Sequence, residues 1–489
     1  MSAFIDVARE IRDLGIAAGA TERGLLGHGD IEKRLSERSN GISQQILQDT
    51  FDKLAAEEEI RTDVIGPEGT VLRYPRRRSR ALETLFGTVW ISRLGYRDRG
   101  TGSVFPLDAK LNLPLTRYSH GLQELAAWVV AYSSYDVAAE YIARSTAARL
   151  PRRQLEGIAL GYVADFNAYY AEQPPVELLD QEKLEALLIV SVDGKGIVMR
   201  HEDLRPETKR RAEGATHKLQ KRLSRGEKRN RKRMAEVAVI YDVAPYFRSA
   251  ADIMGDHRPK NAPRPSNKRV WASVEKDAAE VLDDVMEEVK RRDPQGQRTL
   301  VVLVDGLEGQ LRQVNAALKR HGRQDAVVVQ DFYHVCEYLW RASTCFYNED
   351  DPLREGWVNT RLLEILKGNS SNVAAGMARS ATLRGLSKSS RADVDRAARY
   401  LLKNRARLNY DQVMKIGAPI GTGVVEGACR HLVKARLECS GARWSLAGAE
   451  AVLKLRALRM SGDWEAYSVY HWRQEHRRNY PEYKLRQVG

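Results

Sequence analysis

The sequence predicts an α/β protein: a mixed sheet with helices on both faces, a helical insertion, and helical and β regions before it. Three observations predict it. The centre of the chain runs β-β-β-α-β-α-β-α, read from short apolar runs and amphipathic stripes. The stretch after it, about Asn348 to Gly417, is polar, helical and without strands. The chain has 489 residues, which at roughly 150 per domain means several domains.

Composition narrows the function classes. Apolar residues make up 43% and charged residues 29%, ordinary for globular material and too apolar for a disordered chain. Lys plus Arg number 79 against 65 Asp plus Glu, a net charge of +14. Such an excess favours a polyanionic partner, either nucleic acid or an anionic membrane surface. The longest apolar runs, such as Ala126 to Val130 and Leu300 to Val304, fall far short of the roughly 18 residues a span requires. MSAFIDVARE lacks a basic start followed by an apolar stretch, so no secretory signal is expected. Cys336, Cys345, Cys429 and Cys439 show no CxxC spacing, which argues against a zinc site and a disulfide scaffold. They read as buried thiols of a cytosolic protein.

The elements follow in order. Residues 1–62 carry helical periodicity, clearest in ISQQILQDTFDKLAAEEEI. Residues 63–117 are strand-like, with Thr88, Trp90 and Ser92 alternating against Val89, Ile91 and Arg93, and a Gly-rich end that suggests a hairpin. Arg73, Arg76, Arg77, Arg78 and Arg80 fall there, either as a solvated loop or as a phosphate-contacting arm. Residues 118–182 look helical. SYDVAAEYIARST, a short break and LPRRQLEGIALGYVADF resemble a helix-turn-helix, with Pro151 as first helical residue and Arg152, Arg153 and Gln154 opening the second helix. A plain helical hairpin is the alternative.

Residues 183–347 hold the sheet. ALLIVSVDGKGIVM is the first strand, AEVAVIYDVAP the second and RVWASVEKD the third. DAAEVLDDVMEEVKRRD is an amphipathic helix with Val281, Val285 and Val289 on one face. TLVVLVDG is the fourth strand, LEGQLRQVNAALKRHG a helix, DAVVVQ the fifth strand, and DFYHVCEYLWRASTCFY opens another helix. Between the first two strands, Arg200 to Met234 carries 14 Lys or Arg against 5 Asp or Glu, more than a solvated helix needs. Residues 348–418 form the helical insertion, 419–462 the closing helices, and 463–489 a basic, aromatic tail.

Phosphoryl transfer on nucleic acid uses two divalent cations about 4 Å apart, clamping the attacking and leaving oxygens. Hard carboxylate oxygens suit Mg²⁺. Asp193 ends the first strand and Asp305 the fourth, each before a glycine. Strands one and four are expected to be neighbours, bringing these acids together. Glu426 opens a helix after a Gly-rich break, with Arg430 and Lys434 behind it at four-residue spacing, suited to phosphates. Each acid alone reads more readily as a turn or helix-start residue. Their joint pattern, in a basic chain, favours a metal site. Asp331 also follows an apolar strand and is the runner-up ligand.

The segments SVDGKGIVM, DLRPETKRRAE with RLSRGEKRNRKRMAEVAVIYD, VDGLEGQL, QDFYHVCEYLW and PIGTGVVEGACRHLVKARLECSGARWS resemble bacterial insertion-sequence transposases of the ISKra group. TLFGTVWISRLGYRDRGTGSVFPLDAKLNLP is similar to the amino-terminal part of that group, so the resemblance covers residues 70 to 470. It implies a DDE transposase: an RNase H-like catalytic core, a helical insertion and amino-terminal DNA-binding regions. Carried over residue by residue, the triad is Asp193, Asp305 and Glu426. Asp193 would bridge two Mg²⁺ ions, with Mn²⁺ as substitute, and Asp305 and Glu426 would each hold one. Asp331 and His334 match the D(2)H or C(2)H signature of hAT-like and Mutator-like relatives, departing from its Cys form.

His334 would then orient the scissile phosphate or a metal-bound water, or else be a helix-start histidine capped by Asp331. Trp444 would stack on an unpaired base, or else pack in the core. Arg210, Arg211, Lys221, Arg222, Lys228, Arg229, Arg231, Lys232 and Arg233 would track the DNA backbone. The implied partners are duplex DNA, as terminal inverted repeats and target, and a second copy of the chain, in a bacterial cytoplasm near the nucleoid. An RNase H-like nuclease without strand transfer and a non-catalytic DNA-binding regulator are the competing readings.

Overall fold

The computed structural model describes residues 27–66, 69–98, 102–176, 184–214, 231–255 and 262–481. The chain divides into two compact units: residues 1–169 together with 464–489, and residues 170–463.

Among the described residues the first unit opens with α1 (Gly27–Ala56), a helix of 30 residues. It packs on an antiparallel hairpin of β1 (Tyr74–Thr84) and β2 (Gly87–Arg97). Leu47 and Phe51 of α1 cover the buried Leu82, Val89 and Ile91, while Gln44 and Gln48 donate to the Thr88 and Trp90 carbonyls at 2.6 and 2.8 Å. The hairpin turns at Leu85–Phe86, not at the Gly-rich end, because the Thr84 hydroxyl closes the turn onto the Gly87 carbonyl at 2.7 Å. The short helices that follow include α2 (His120–Val130), α3 (Tyr135–Ser145) and α4 (Arg152–Tyr162). Ser119 and Ser134 cap the first two through their hydroxyls. Pro151 is the N-cap of α4 rather than its first helical residue, with φ −63° and ψ 145°. The predicted carboxy-terminal tail is a helix, Trp464–Asn479, of this same unit. Trp464 stacks on Tyr162, Tyr467 donates to the Tyr162 carbonyl at 2.6 Å, and His471 meets Asp165 at 2.7 Å.

The second unit is built on a five-stranded mixed sheet, ordered β5-β4-β3-β6-β7. Its strands are β3 (Leu187–Val198), β4 (Lys232–Val243), β5 (Ser266–Ser273), β6 (Leu300–Val304) and β7 (Val327–Gln330). β3, β4 and β5 pair antiparallel; β3, β6 and β7 pair parallel. The first and fourth sheet strands read from the sequence are therefore neighbours, as expected. β6 is buried at all five positions, which is why it reads as an unbroken apolar run. α5 (Ala278–Arg292) begins at a reciprocal cap between Asp277 and Glu280 and buries Val281, Val285 and Val289, the predicted stripe.

α6 (Glu308–Arg320) joins β6 to β7, and α7 (Phe332–Ser343) leaves β7. The insertion is helical throughout, with α8 (Pro352–Leu366), α9 (Ser370–Leu383) and α10 (Ala392–Asn404). The chain returns through α11 (Gly423–Ala428), a π-helical turn at Cys429–Lys434, and α12 (Leu446–Ser461). No helix among the described residues is long and apolar enough to cross a membrane.

Candidate metal centre and nucleic-acid interface

Register places the acids. Ser191 of β3 pairs with Leu303 of β6, and Val304 of β6 pairs with Gln330 of β7. Counting on, Asp193, Asp305 and Asp331 lie at one level across three adjacent strands. Asp193 does not end its strand: β3 continues to Val198 against β4, and β6 stops beside it. The stop leaves Asp193 without a ladder partner on that side.

Gln310, on the first turns of α6, ties the level together. Its side-chain amide donates to the Val192 carbonyl at 2.8 Å, and its oxygen accepts the Asp305 N–H at 3.3 Å. Gly306 then turns the chain away at φ +88°. A side chain there would meet the buried Gln330 amide at 2.2 Å, so only glycine fits.

Glu426 arrives from the other end of the insertion. Residues 420–422 are fastened to the start of α7: the Phe332 N–H donates to the Ile420 carbonyl at 2.9 Å and the Thr422 N–H to Asp331 Oδ1 at 2.8 Å. Gly421 permits this approach, since a Cβ would lie 2.8 Å from the Tyr333 ring. The Thr422 hydroxyl then donates to Glu426 Oε1 at 3.0 Å. On the other side, the Cys429 thiol donates to Asp193 Oδ2 at 3.1 Å, and the Gly194 N–H to Asp193 Oδ1 at 2.7 Å.

The electrostatics separate the acids. Burial raises the Asp305 carboxyl above its usual range, and the charges of Asp193 and Asp331 add to that effect. Asp331 is fully buried. Burial works against its charge, but hydrogen bonds from the His334 ring, the Thr422 N–H and the His334 N–H outweigh it and hold the carboxyl low. The bond to Asp331, 2.9 Å from His334 Nδ1, raises the imidazole. Both oxygens of Asp331, the runner-up ligand, are thus engaged, and its carboxylate caps the start of α7. Glu236 on β4, paired with Gly194, is raised by burial and by Asp193. It is a further acid near the row.

These donors suit a hard divalent cation: carboxylate oxygens, with no ion pair to Asp193, Asp305 or Glu426 among the described residues. Among those residues no three His, Cys, Asp or Glu side chains converge closely enough to hold one ion. Asp193 is turned to Cys429 and Glu426 to Thr422, so the fit is one of donor chemistry and register, not of a preformed cage.

The basic residues divide. Arg76 and Arg78 are exposed on β1, whereas Arg77 also donates to the Ala55 carbonyl at 3.0 Å. These arginines lie on a strand and not in a loop. Arg152 and Arg153 are exposed at the start of α4. Arg210 and Arg211 are exposed on the short helix Pro206–Glu213. Lys221, Arg222, Lys228 and Arg229 lie outside the described residues. Arg231 is half-buried just before β4. Lys232 and Arg233 are already part of β4, and Lys232 pairs with Glu438 at 3.4 Å.

Arg233 is not a phosphate contact: it donates to the Val274, Asp203 and Glu275 carbonyls, at 2.7, 3.4 and 3.3 Å. Trp444 is not a stacking platform. It is buried at 6% exposure, its indole N–H reaches the Leu437 carbonyl at 3.1 Å, and its backbone bridges Val198 and Arg200. Arg430 and Lys434 are exposed, but the π-helical turn breaks their α-helical spacing behind Glu426. The thiols also differ from expectation: Cys429 is buried, Cys336 and Cys345 are half-buried, and Cys439 is exposed.

Sequence reasoning missed Gln310, Thr422 and Cys429. The spacing of Cys429, three residues after Glu426, was the available signal for the last. No family model matches the chain, and no curated protein matches it at a significant level.

Proposed function

We propose that the chain is a DDE transposase: a divalent-metal-dependent enzyme that cleaves DNA at the ends of an insertion sequence and joins those ends to a target. The observation that carries the reading is the shared level of Asp193 on β3 and Asp305 directly after the parallel neighbour β6, with no cation paired to either among the described residues. Carboxylates held this way on a rigid sheet repel one another and await positive charge. Asp193, Asp305 and Glu426 would hold the metal.

Two Mg²⁺ or Mn²⁺ ions there would lower the pKa of an attacking water or 3′-hydroxyl and stabilise the leaving 3′-oxygen. The residues of the chain do the rest. Gln310 keeps Asp305 level with Asp193 by tying the middle of β3, at Val192, to the residue that follows β6. Asp331 fixes the His334 ring through Nδ1, leaving Nε2 as the nitrogen that would orient a phosphate oxygen. Exposed arginines at 76, 78, 152, 153, 210 and 211 would draw duplex DNA by counterion release. Terminal repeats and target DNA are then the partners, a second copy of the chain would serve the second end, and the RNase H-like class and a nucleoid location follow from the same reading.

The test is a labelled duplex carrying the element's own ends, incubated in Mg²⁺ and in EDTA. Wild type is expected to nick in Mg²⁺ alone and to join ends to a target. Asp193→Ala, Asp305→Ala and Glu426→Ala are expected to bind without cutting. Binding without cutting by wild type would overturn the enzymatic reading in favour of a regulator. Cutting without joining would leave a nuclease.

A further inference from the structure

α10 places Arg396, Arg399 and Lys403 at i, i+3 and i+7, on one helical face. That face lines a cleft of about 460 Å³ together with Asp305, Glu308 and His334. All three cations are exposed. Arg396 and Lys403 hold only surface ion pairs, with Asp393 at 2.6 Å and Glu308 at 2.8 Å. Such pairs contribute little in water and exchange readily for a phosphate. Arg399 donates Nε to the Asp395 carbonyl at 3.2 Å, and no carboxylate pairs with it among the described residues. Tyr338 and Tyr400 also line the cleft, their rings stacked at 3.9 Å and 15°.

We propose that this cleft binds single-stranded nucleic acid beside the acid row, with phosphates on Arg396, Arg399 and Lys403 and a base against the tyrosine pair. The inference rests on the proposed function and names the part of its substrate that the helical insertion holds. A lining that carries both cations and an acid of the row suits a phosphodiester: the cations take its charge, and Asp305 lies where its reacting phosphate would come. Pockets for small ligands run to roughly 300–1,000 Å³, so this cleft is nucleotide-sized and too small for a duplex. A π-face accepts any base, as a strand path requires.

The test uses the full chain in EDTA, so that nothing is cut, with a fluorescein-labelled oligothymidylate followed by anisotropy across a salt series. Each phosphate contact to a single strand contributes about 0.7 to the slope of log affinity against log salt. The triple variant Arg396→Ala, Arg399→Ala, Lys403→Ala is expected to lower that slope by about 2. Arg379→Ala, on α9, is expected to leave it unchanged. A 4-thiothymidine oligonucleotide is expected to crosslink to the segment containing Tyr338 or to that containing Tyr400.

Unchanged affinity and slope in the triple variant, with crosslinks elsewhere, would overturn the proposal. So would competition by thymidine monophosphate as strong as by the oligonucleotide, because the cleft would then be a mononucleotide site. The two readings fail separately. A wild type that cuts DNA while the triple variant binds normally loses only this cleft. A cleft that binds and crosslinks in a protein that never cuts loses only the transposase.

Discussion

Asp193 and Asp305 stand at one level of two parallel strands because Ser191 pairs with Leu303 two residues before each of them. The sheet brings the two carboxylates into one neighbourhood across a sequence separation of more than a hundred residues. Gln310 locks the level by bonding to Val192 of β3 and to Asp305, directly after β6. Everything proposed about the chemistry rests on that register.

Gly306 is the backbone hinge of the site. Gly306→Ala is expected to cost about 1–3 kcal/mol from its positive φ alone, before the collision with the Gln330 amide at 2.2 Å. Urea unfolding measures the loss, and cutting is expected to fall with it because Asp305 is the neighbouring residue. Wild-type stability in this variant would mean that the turn after Asp305 is not held as described.

Glu288 anchors α5 to β5 through Arg269 at 2.7 Å and is braced within the helix by Arg291 and Arg292 at 2.7 and 2.6 Å. Burial alone would raise its carboxyl, but the Arg291 hydrogen bonds and the charges of Arg269 and Arg292 outweigh it and hold it at about 2. Because the folded value lies below the unfolded one, the stabilisation is present above about pH 4.5 and lost as pH falls towards 2. Glu288→Gln is expected to cost about 3–5 kcal/mol at pH 7, by taking the carboxylate away from the buried Arg292 and the half-buried Arg269. The difference from wild type is expected to shrink in acid. Denaturant titrations at pH 7 and pH 3 check the sign.

Trp444 separates packing from base stacking. Trp444→Ala is expected to destabilise by about 3–5 kcal/mol, measured by denaturant unfolding. A Trp444→Ala protein of wild-type stability with weakened DNA binding would restore the stacking role.

The thiols are expected to react in order of exposure. Cys439 is exposed, whereas burial pushes Cys336 up to about 12 and Cys429 higher still, with Asp193 adding to the latter. Thiolate is the reactive form, so Ellman's reagent at pH 8 is expected to modify Cys439 first and Cys429 only on unfolding. Rapid loss of the Cys429 thiol in the native chain would show that its contact with Asp193 opens freely.

Much of the second unit was legible in the sequence. β6 reads as a strand because Leu300 to Val304 are all buried, and the Asp-Gly that follows marks its end. The order of elements alone puts β3 beside β6 and so brings Asp193 and Asp305 together. What was not legible was tertiary. Arg233 and Trp444 look like nucleic-acid contacts by type, but Arg233 is occupied by the Val274 carbonyl, 41 residues on, and the Trp444 backbone is bound to Val198 and Arg200 on a segment distant in sequence. The basic face of α10 is visible as spacing, yet its place in one cleft with Asp305 is a matter of how the insertion folds back. The terminal helix Trp464–Asn479 carried no local sign that Tyr162 and Asp165 were its partners.

The most direct test of the central claim is calorimetric titration of Mn²⁺ into the full chain, comparing wild type with Asp193→Asn/Asp305→Asn. Wild type is expected to bind Mn²⁺ and the double variant to lose that binding, while thermal unfolding shows both folded. Equal binding by the two proteins, or stronger stability with no change in metal affinity, would contradict a metal site at the Asp193–Asp305 level.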